Sequence, residues 1–236
     1  MKWRIVCDFD GTIATEDVTD SLLNRFADPA WVEFEKSWRA GRIDSRECMA
    51  SQTALIRATR AELDAHLDTI AIDPHFADFV ALCRRAAIPL VVVSDGLDYA
   101  IRRVLGRHGM GDLTVISNCL VPVGPDRYRL DFPNSRGDCR ASSGTCKCAV
   151  FSSVPRARRT ILIGDGASDF CAATEADFVF AKASLIDHCA RNALAHEAFV
   201  DFAQVRSRLC AFLGIHDPQA PARLPRLITR ENEVRE

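Results

Sequence analysis

Two aspartates one residue apart, Asp8 and Asp10, follow directly on the apolar run Ile5-Val6-Cys7. A strand alternates its side chains between two faces, so these carboxylates would diverge if the strand simply continued. Gly11 permits a sharp turn that swings both toward one point. Two anions held close repel each other unless a proton or a cation lies between them. The pair therefore calls for a hard divalent ion such as Mg2+, which takes carboxylate and carbonyl oxygens. One carboxylate can then attack phosphorus while the other manages protons. Taken alone, an Asp-x-Asp turn is common as a solvated strand end; the weight comes from what lies downstream.

Two later segments repeat the logic. Val91-Val92-Val93 runs into Ser94-Asp95-Gly96, where a hydroxyl and the following backbone N–H groups make a site for phosphate oxygens, or else an ordinary helix cap. Ile161-Leu162-Ile163 runs into Gly164-Asp165-Gly166-Ala167-Ser168-Asp169. Asp165 can reach a cation shared with Asp8. Asp169 can orient ligands from a first helical turn, or serve only as a partner of the helix dipole. Phosphoryl oxygens also need positive charge beside them. The lysines are Lys2, Lys36, Lys147 and Lys182, and Lys147 alone precedes the Gly-Asp strand within a cysteine-bearing loop.

The elements that must position these residues alternate. Strands are predicted at Trp3 to Cys7, Pro89 to Ser94, Leu113 to Ser117, Thr160 to Gly164 and Phe178 to Phe180, with helices at His75 to Ala87, Leu97 to His108 and from Ser168. Between the first two strands the pattern is helical throughout. Helices are expected at Asp17 to Phe26, Pro29 to Gly41, Asp44 to Ile56 and Arg60 to Ile70, with Trp31, Phe34 and Trp38 as bundle core. The fold class is α/β, a Rossmann-like doubly wound parallel sheet carrying an inserted helical bundle as a cap. Residues 1–15 and 74–213 would form the core, 16–73 the cap and 214–236 a loosely packed or disordered tail. In such sheets ligands bind at the carboxyl ends of the strands, where Asp8, Ser94 and Asp165 all fall. Val121 to Cys148 is irregular and reads as a hairpin plus loop.

The 236 residues and 48% hydrophobic content suffice for a sizeable core. A net charge of -2 gives no general reason to expect nucleic acid or an anionic membrane as partner, and the Arg156 to Arg159 cluster reads as strand-flanking. No charged-then-apolar stretch opens the sequence and no apolar run is long enough to span a bilayer, so a cytoplasmic location is expected.

Asp8-Phe9-Asp10-Gly11-Thr12, Ser94, Lys147 and Gly164-Asp165-Gly166-Ala167-Ser168-Asp169 resemble the four motifs of the haloacid dehalogenase superfamily in its phosphatase branch. The resemblance implies a Mg2+-dependent phosphomonoesterase with Asp8 as nucleophile and Asp10 as general acid, then base. It implies phosphate-binding roles for Gly11, Thr12, Ser94, Asp95, Gly96 and Lys147, and Mg2+ bound by Asp8, Asp165 and the Asp10 carbonyl with Asp169 in support. An acid at the second motif position separates phosphatases of this family from its dehalogenases. The inserted bundle resembles the cap of the subgroup containing phosphoserine phosphatase. Pro29-Ala30-Trp31, Asp131-Phe132-Pro133 and Gly144-Thr145-Cys146-Lys147-Cys148 resemble the methionine-salvage phosphatases that act on 2-hydroxy-3-keto-5-methylthiopentenyl-1-phosphate. Asp95, where that group tends to have Gly, is a departure. The expected partner is a small phosphorylated metabolite, with phosphoserine, phosphoethanolamine or phosphocholine as the alternatives, and the chain a monomer or homodimer. A phospho-ligand-binding pseudo-enzyme would lack the nucleophile or the lysine, and a mutase would use the same aspartyl-phosphate.

Glu16 and Asp17 open the insertion, and a carboxylate there can read a substrate amine; Glu16 is the candidate, Asp17 being better explained as a helix-start acid. Of the ten cysteines, Cys7, Cys48, Cys83, Cys171, Cys189 and Cys210 read as small buried hydrophobes. Cys139, Cys146 and Cys148 allow a partial metal site, a disulfide or reduced thiols packing the loop, the last being the expectation.

Overall fold

The computed structural model describes residues 2–139, 142–152 and 158–215. The central strand is β1 (Lys2–Cys7), whose Ile5, Val6 and Cys7 are fully buried. Both faces are covered, as the near-continuous apolar run requires. The chain then leaves the sheet for four helices, α1 (Val18–Phe26), α2 (Trp31–Arg39), α3 (Ser45–Thr53) and α4 (Arg60–Leu67). Asp17, Asp44 and Thr59 cap three of them by accepting backbone N–H bonds, and Thr59 with Glu62 forms a reciprocal capping box. An isolated antiparallel bridge between Ala14 and Ile72 closes the base of this excursion.

The chain returns through α5 (Phe76–Arg85), β2 (Leu90–Leu97), α6 (Asp98–Arg107), β3 (Thr114–Pro122) and β4 (Tyr128–Asp131). It continues with α7 (Lys147–Ser152), β5 (Arg158–Gly164), a 3-10 turn (Ala167–Asp169) leading into α8 (Phe170–Ala173), β6 (Phe178–Ala181), α9 (Ala183–Arg191), β7 (His196–Ala198) and α10 (Phe202–Leu213). The seven strands lie in the order β4-β3-β2-β1-β5-β6-β7, all parallel except for the β3–β4 hairpin at one edge. This is the doubly wound α/β fold that the strand–helix alternation predicts.

Strand alternation splits the core. Ile5, Cys7, Ile161 and Ile163 face a large cluster shared with α1, α4, α5, α6 and α10, while Val6, Val91, Val93 and Leu162 face a second cluster with α7, α8 and α9. The first cluster runs without interruption into Leu22, Leu63 and Leu67 of the inserted helices.

Three features depart from expectation. Helix α2 buries none of its residues; Trp31 packs against the large apolar cluster as expected, but Trp38 is 38% exposed and borders an open cavity. Strand β2 runs past Ser94 to Leu97, with its pairing to β3 broken by an irregularity between Val93 and Leu97. Such a bulge re-aims side chains beside a site. Elements α7, α9, β7 and α10 carry weaker sequence signals and emerge only in the fold. The Arg156–Ala157 part of the basic cluster and the tail from 216 onward lie outside the described residues. Among the described residues no helix is long and apolar enough to cross a membrane.

Helix α10 is fastened by the Asp73 carboxylate, which accepts from the Phe202 N–H (3.1 Å), and by the Phe202 ring, whose centroid lies 4.8 Å from Phe76 and 5.1 Å from Phe79. Phe202 is fully buried. We expect Phe202→Ala to cost about 3–5 kcal/mol through lost burial and a residual cavity. Denaturant melts would show this as a lower midpoint at unchanged slope; a loss under about 1 kcal/mol would mean that α10 is not anchored through this ring.

Candidate active site

The carboxyl ends of β1, β2 and β5 meet at one point. Asp8 leaves the end of β1 with its N–H donated to the Ile163 carbonyl (2.8 Å), so its backbone is still clamped to β5. The residue is 4% exposed. Lys147, at the first residue of α7 and itself 2% exposed, donates from Nζ to Asp8 Oδ1 (2.8 Å), Asp169 Oδ1 (2.7 Å) and Ser168 Oγ (3.0 Å). Asp169 is fully buried, and its second oxygen accepts the Asp165 N–H (3.1 Å), which closes the Gly164–Asp169 turn. Carboxylate oxygens of Asp8, Asp165 and Asp169 lie within 4.8 Å of one another.

Two glycines make this approach possible. Gly11 has φ +67°, and a side chain there would collide with the Asp165 carboxylate; one at Gly164 would collide with Asp169. Thr12, on the same turn, donates its hydroxyl to Asp165 Oδ1 (3.4 Å). Asp10 turns the other way. Its Oδ1 accepts the Val18 N–H at the start of α1 (2.9 Å), and its Oδ2 accepts the Ser94 hydroxyl (3.1 Å). The structure thus brings Asp8, Asp10, Thr12, Ser94, Lys147, Asp165 and Asp169 into one site.

Other candidates stand differently. The N–H of Gly11 goes to the Glu16 carbonyl (3.2 Å) and that of Gly96 to Ser94 Oγ (2.9 Å). The Asp95 carboxylate faces Thr145, Asn118 and Ser45 rather than the Lys147 ammonium. Glu16 is exposed and lines a separate open groove, whereas Asp17 borders the cavity above Asp8. Lys182, passed over in the sequence, donates to the Thr12 carbonyl (3.4 Å) and draws the Asp165 pKa down. Its signal was a cation at the end of β6, one strand beyond the Gly-Asp motif. Around the lysine the cysteines are free thiols: the Cys146 pKa is raised by burial and by its neighbour Cys139, and that of Cys148 by its neighbour Cys171. Cys171 was not expected in that cluster.

Burial of so many acids shifts their titration. Asp8 rises through desolvation and the charge of Asp169, against the pull of Lys147. Asp165 is pushed up to about 6, by burial and then Asp169. Asp10 is pushed up to about 7, by burial and then the charge of Asp17. A carboxyl that exists in both forms near neutrality can give a proton and take one back. Burial works against the Lys147 charge, but Asp169 and Asp8 outweigh it and hold the ammonium protonated. Three carboxylates against one ammonium leave two negative charges, and the oxygen-only donor set is one that a hard divalent cation prefers. The residues fit Mg2+.

A cavity of about 580 Å³ opens above Asp8, Asp10, Ser94 and Asp165. Its far wall comes from α1, α2 and α3 and combines Trp38 and Met49 with Asp17, Asp20 and Glu35.

The description of the haloacid dehalogenase-like hydrolase family matches residues 5–174 of this chain. Curated relatives include the 2-hydroxy-3-keto-5-methylthiopentenyl-1-phosphate phosphatases of Bacillus velezensis, 30% identical over 86% of this chain and 88% of that protein, and of Brevibacillus brevis, 28% identical over 86% and 93%. Among solved structures, substrate-bound phosphoserine phosphatase superimposes with a TM-score of 0.68 at 15% identity, covering 88% of this chain and 98% of that one. The phospho-aspartyl intermediate analogue of phosphoserine phosphatase gives 0.66 at 14% over the same shares. At those identities the superpositions speak for the fold.

The raised carboxyl groups carry a pH signature. Asp10, Asp20 (pushed up to about 6 by burial and Asp17) and Asp165 hold their protons more tightly folded than at the unfolded value of 3.8. Their stabilisation is complete below that value and is lost as pH climbs through 6 to 7. Exposed acids with lowered pKa, such as Asp44 and Asp68, work in the opposite sense but only in more acid solution. In EDTA the thermal midpoint should therefore fall between about pH 5 and pH 7.5, and saturating Mg2+ should remove most of that fall. A midpoint that rises over the interval in EDTA would contradict the assignment.

Proposed function

This chain belongs to the haloacid dehalogenase-like hydrolase family and is a phosphoric monoester hydrolase, and we propose that it works through an aspartyl-phosphate formed on Asp8. The observation that carries this reading is the convergence of Asp8, Lys147 and Asp169 in one buried contact beside Asp165. Asp8 and Asp165, with the Asp10 carbonyl, would hold Mg2+, and Asp169 would steady both Lys147 and the Asp165 turn. When bound, the ion supplies charge neutralisation for the carboxylates and the phosphoryl group.

The Asp8 carboxylate attacks phosphorus in line, the P–O bond to the substrate breaks, and the Asp10 carboxyl gives its proton to the leaving alkoxide. Asp10, now a carboxylate, takes a proton from water as that water attacks the aspartyl-phosphate. The P–O bond to Asp8 breaks and phosphate leaves. Lys147 and the Ser94 hydroxyl stabilise the phosphoryl oxygens. Asp10 is aimed for this work by its two hydrogen bonds, to Val18 and to Ser94, which tie its position to the start of α1 and to the end of the apolar part of β2. Residues 16–73 act as the cap and 1–15 with 74–213 as the core, so that the cavity closes over a small substrate and excludes bulk water.

For the substrate we favour 2-hydroxy-3-keto-5-methylthiopentenyl-1-phosphate. Support comes from relatives of that name over nearly the whole chain and from Trp38 and Met49 in the cavity wall, an apolar surface for a methylthio group. Asp17, Asp20 and Glu35 in the same wall favour a second reading, a phosphomonoester bearing an ammonium group such as phosphoserine or phosphoethanolamine.

Asp8→Asn should reduce turnover of any phosphomonoester, p-nitrophenyl phosphate included, by about 10³-fold or more, and EDTA should silence the wild type until Mg2+ is restored. Substantial residual hydrolysis by the variant would remove Asp8 from its role. In a panel of phosphorylated metabolites, kcat/KM for the methylthio substrate should exceed that for phosphoserine, phosphoethanolamine and phosphocholine by about 100-fold. The reverse order would select the amine reading.

A further inference from the structure

Asp95 has no part in the chemistry set out above, yet its side chain is the meeting point of three segments. Its Oδ1 accepts the Thr145 N–H (2.7 Å) and the Asn118 side-chain amide (3.0 Å), and its Oδ2 accepts the Ser45 hydroxyl (3.3 Å). Asn118 also donates to the Asp95 carbonyl and accepts the Thr145 hydroxyl (3.0 Å). Asn118 and Thr145 are fully buried, so the bond between them is shielded from water, while Asp95 and Ser45 are half-buried at the cavity wall. The neighbouring backbone is equally confined: a side chain at Gly144 would collide with Phe132 and Asn118. Two residues beyond Thr145 stands Lys147, and Ser45 is the first residue of α3 in the cavity wall.

We infer that Asp95 is a positioning residue, which holds the loop carrying Lys147 through the Thr145 N–H and ties α3 to that loop through Ser45. The kinetic part of this inference rests on the reaction proposed above; the structural part does not. The carboxylate offers enough lone pairs for all three donors, and a shorter side chain would leave the buried Thr145 N–H without its acceptor and take one of the acceptors of the Asn118 amide away. The role is hydrogen-bonding geometry rather than charge. An asparagine retains Oδ1 for Thr145 and Asn118, and its amide can donate to the Ser45 oxygen. Because Lys147 must sit within hydrogen-bond reach of Asp8 and Asp169, a small drift of its loop detunes the site without changing any group that touches substrate.

The test compares Asp95→Ala, Asp95→Ser and Asp95→Asn in the full chain with Mg2+, by steady-state kinetics on p-nitrophenyl phosphate and by amide hydrogen exchange at Thr145. Alanine, and serine, whose hydroxyl is too short to span the gap, should lower kcat by about 10- to 100-fold with a much smaller change in KM. Both should speed Thr145 exchange by about tenfold or more. Asparagine should restore both readouts to within about threefold of the wild type. If alanine and serine variants do not fold, the asparagine variant decides. Loss of activity or of Thr145 protection in Asp95→Asn would overturn the inference, as would wild-type kcat in Asp95→Ala. If instead the wild type hydrolyses nothing while the exchange pattern holds, the proposed reaction fails and the structural role of Asp95 stands.

Discussion

Three carboxylates gathered within 4.8 Å of one another at the end of a buried sheet is the arrangement on which the rest of this structure depends. In isolation it would fly apart or take up protons, and the Asp8 and Asp165 pKa values do rise. One buried ammonium offsets part of the repulsion. Lys147 bridges Asp8 and Asp169, so the group that balances the acids is also in direct contact with the proposed nucleophile. Breaking such a buried pair by removing one partner is costly, which binds stability and chemistry to the same contact.

The fold supplies what this constraint demands. Parallel strands with apolar runs end together, so side chains just past those ends share an edge without any long-range bending of the chain. Positive φ at Gly11 and the lack of a side chain at Gly164 let neighbouring turns approach until carboxylates touch. The bulge in β2 does the same for Ser94 and Asp95, turning one toward Asp10 and the other toward the Lys147 loop. Helix α1 participates as well, since its first N–H, that of Val18, holds Asp10 and its N-cap Asp17 raises the Asp10 pKa.

Continuity between the inserted helices and the core bears on how the cavity works. Leu22, Leu63 and Leu67 share one apolar cluster with the sheet, so the base of the insertion is packed, while α2 buries nothing and borders the cavity. The cavity wall therefore includes the least buried of the inserted helices. A wall of that kind can adapt to a substrate without disturbing the sheet edge.

Much was determined by the sequence alone. Apolar runs ending in Asp or Ser marked β1, β2 and β5 and the edge at which they end together, because strand burial and the polarity change after it are local properties. Four-residue spacing in the Gly-Asp segment and the single lysine before it were legible for the same reason. Tertiary structure decided what depends on segments distant in the chain. It set Trp38 of α2 at a cavity instead of in a core, put Asp17 rather than Glu16 at its rim, and brought Lys182 beside the Thr12 turn. It also joined Asp95 to Thr145, Asn118 and Ser45, partners as many as 50 residues away, by hydrogen bonds that no spacing rule encodes. Periodicity tells which face of an element is apolar or polar; only packing tells what that face will meet.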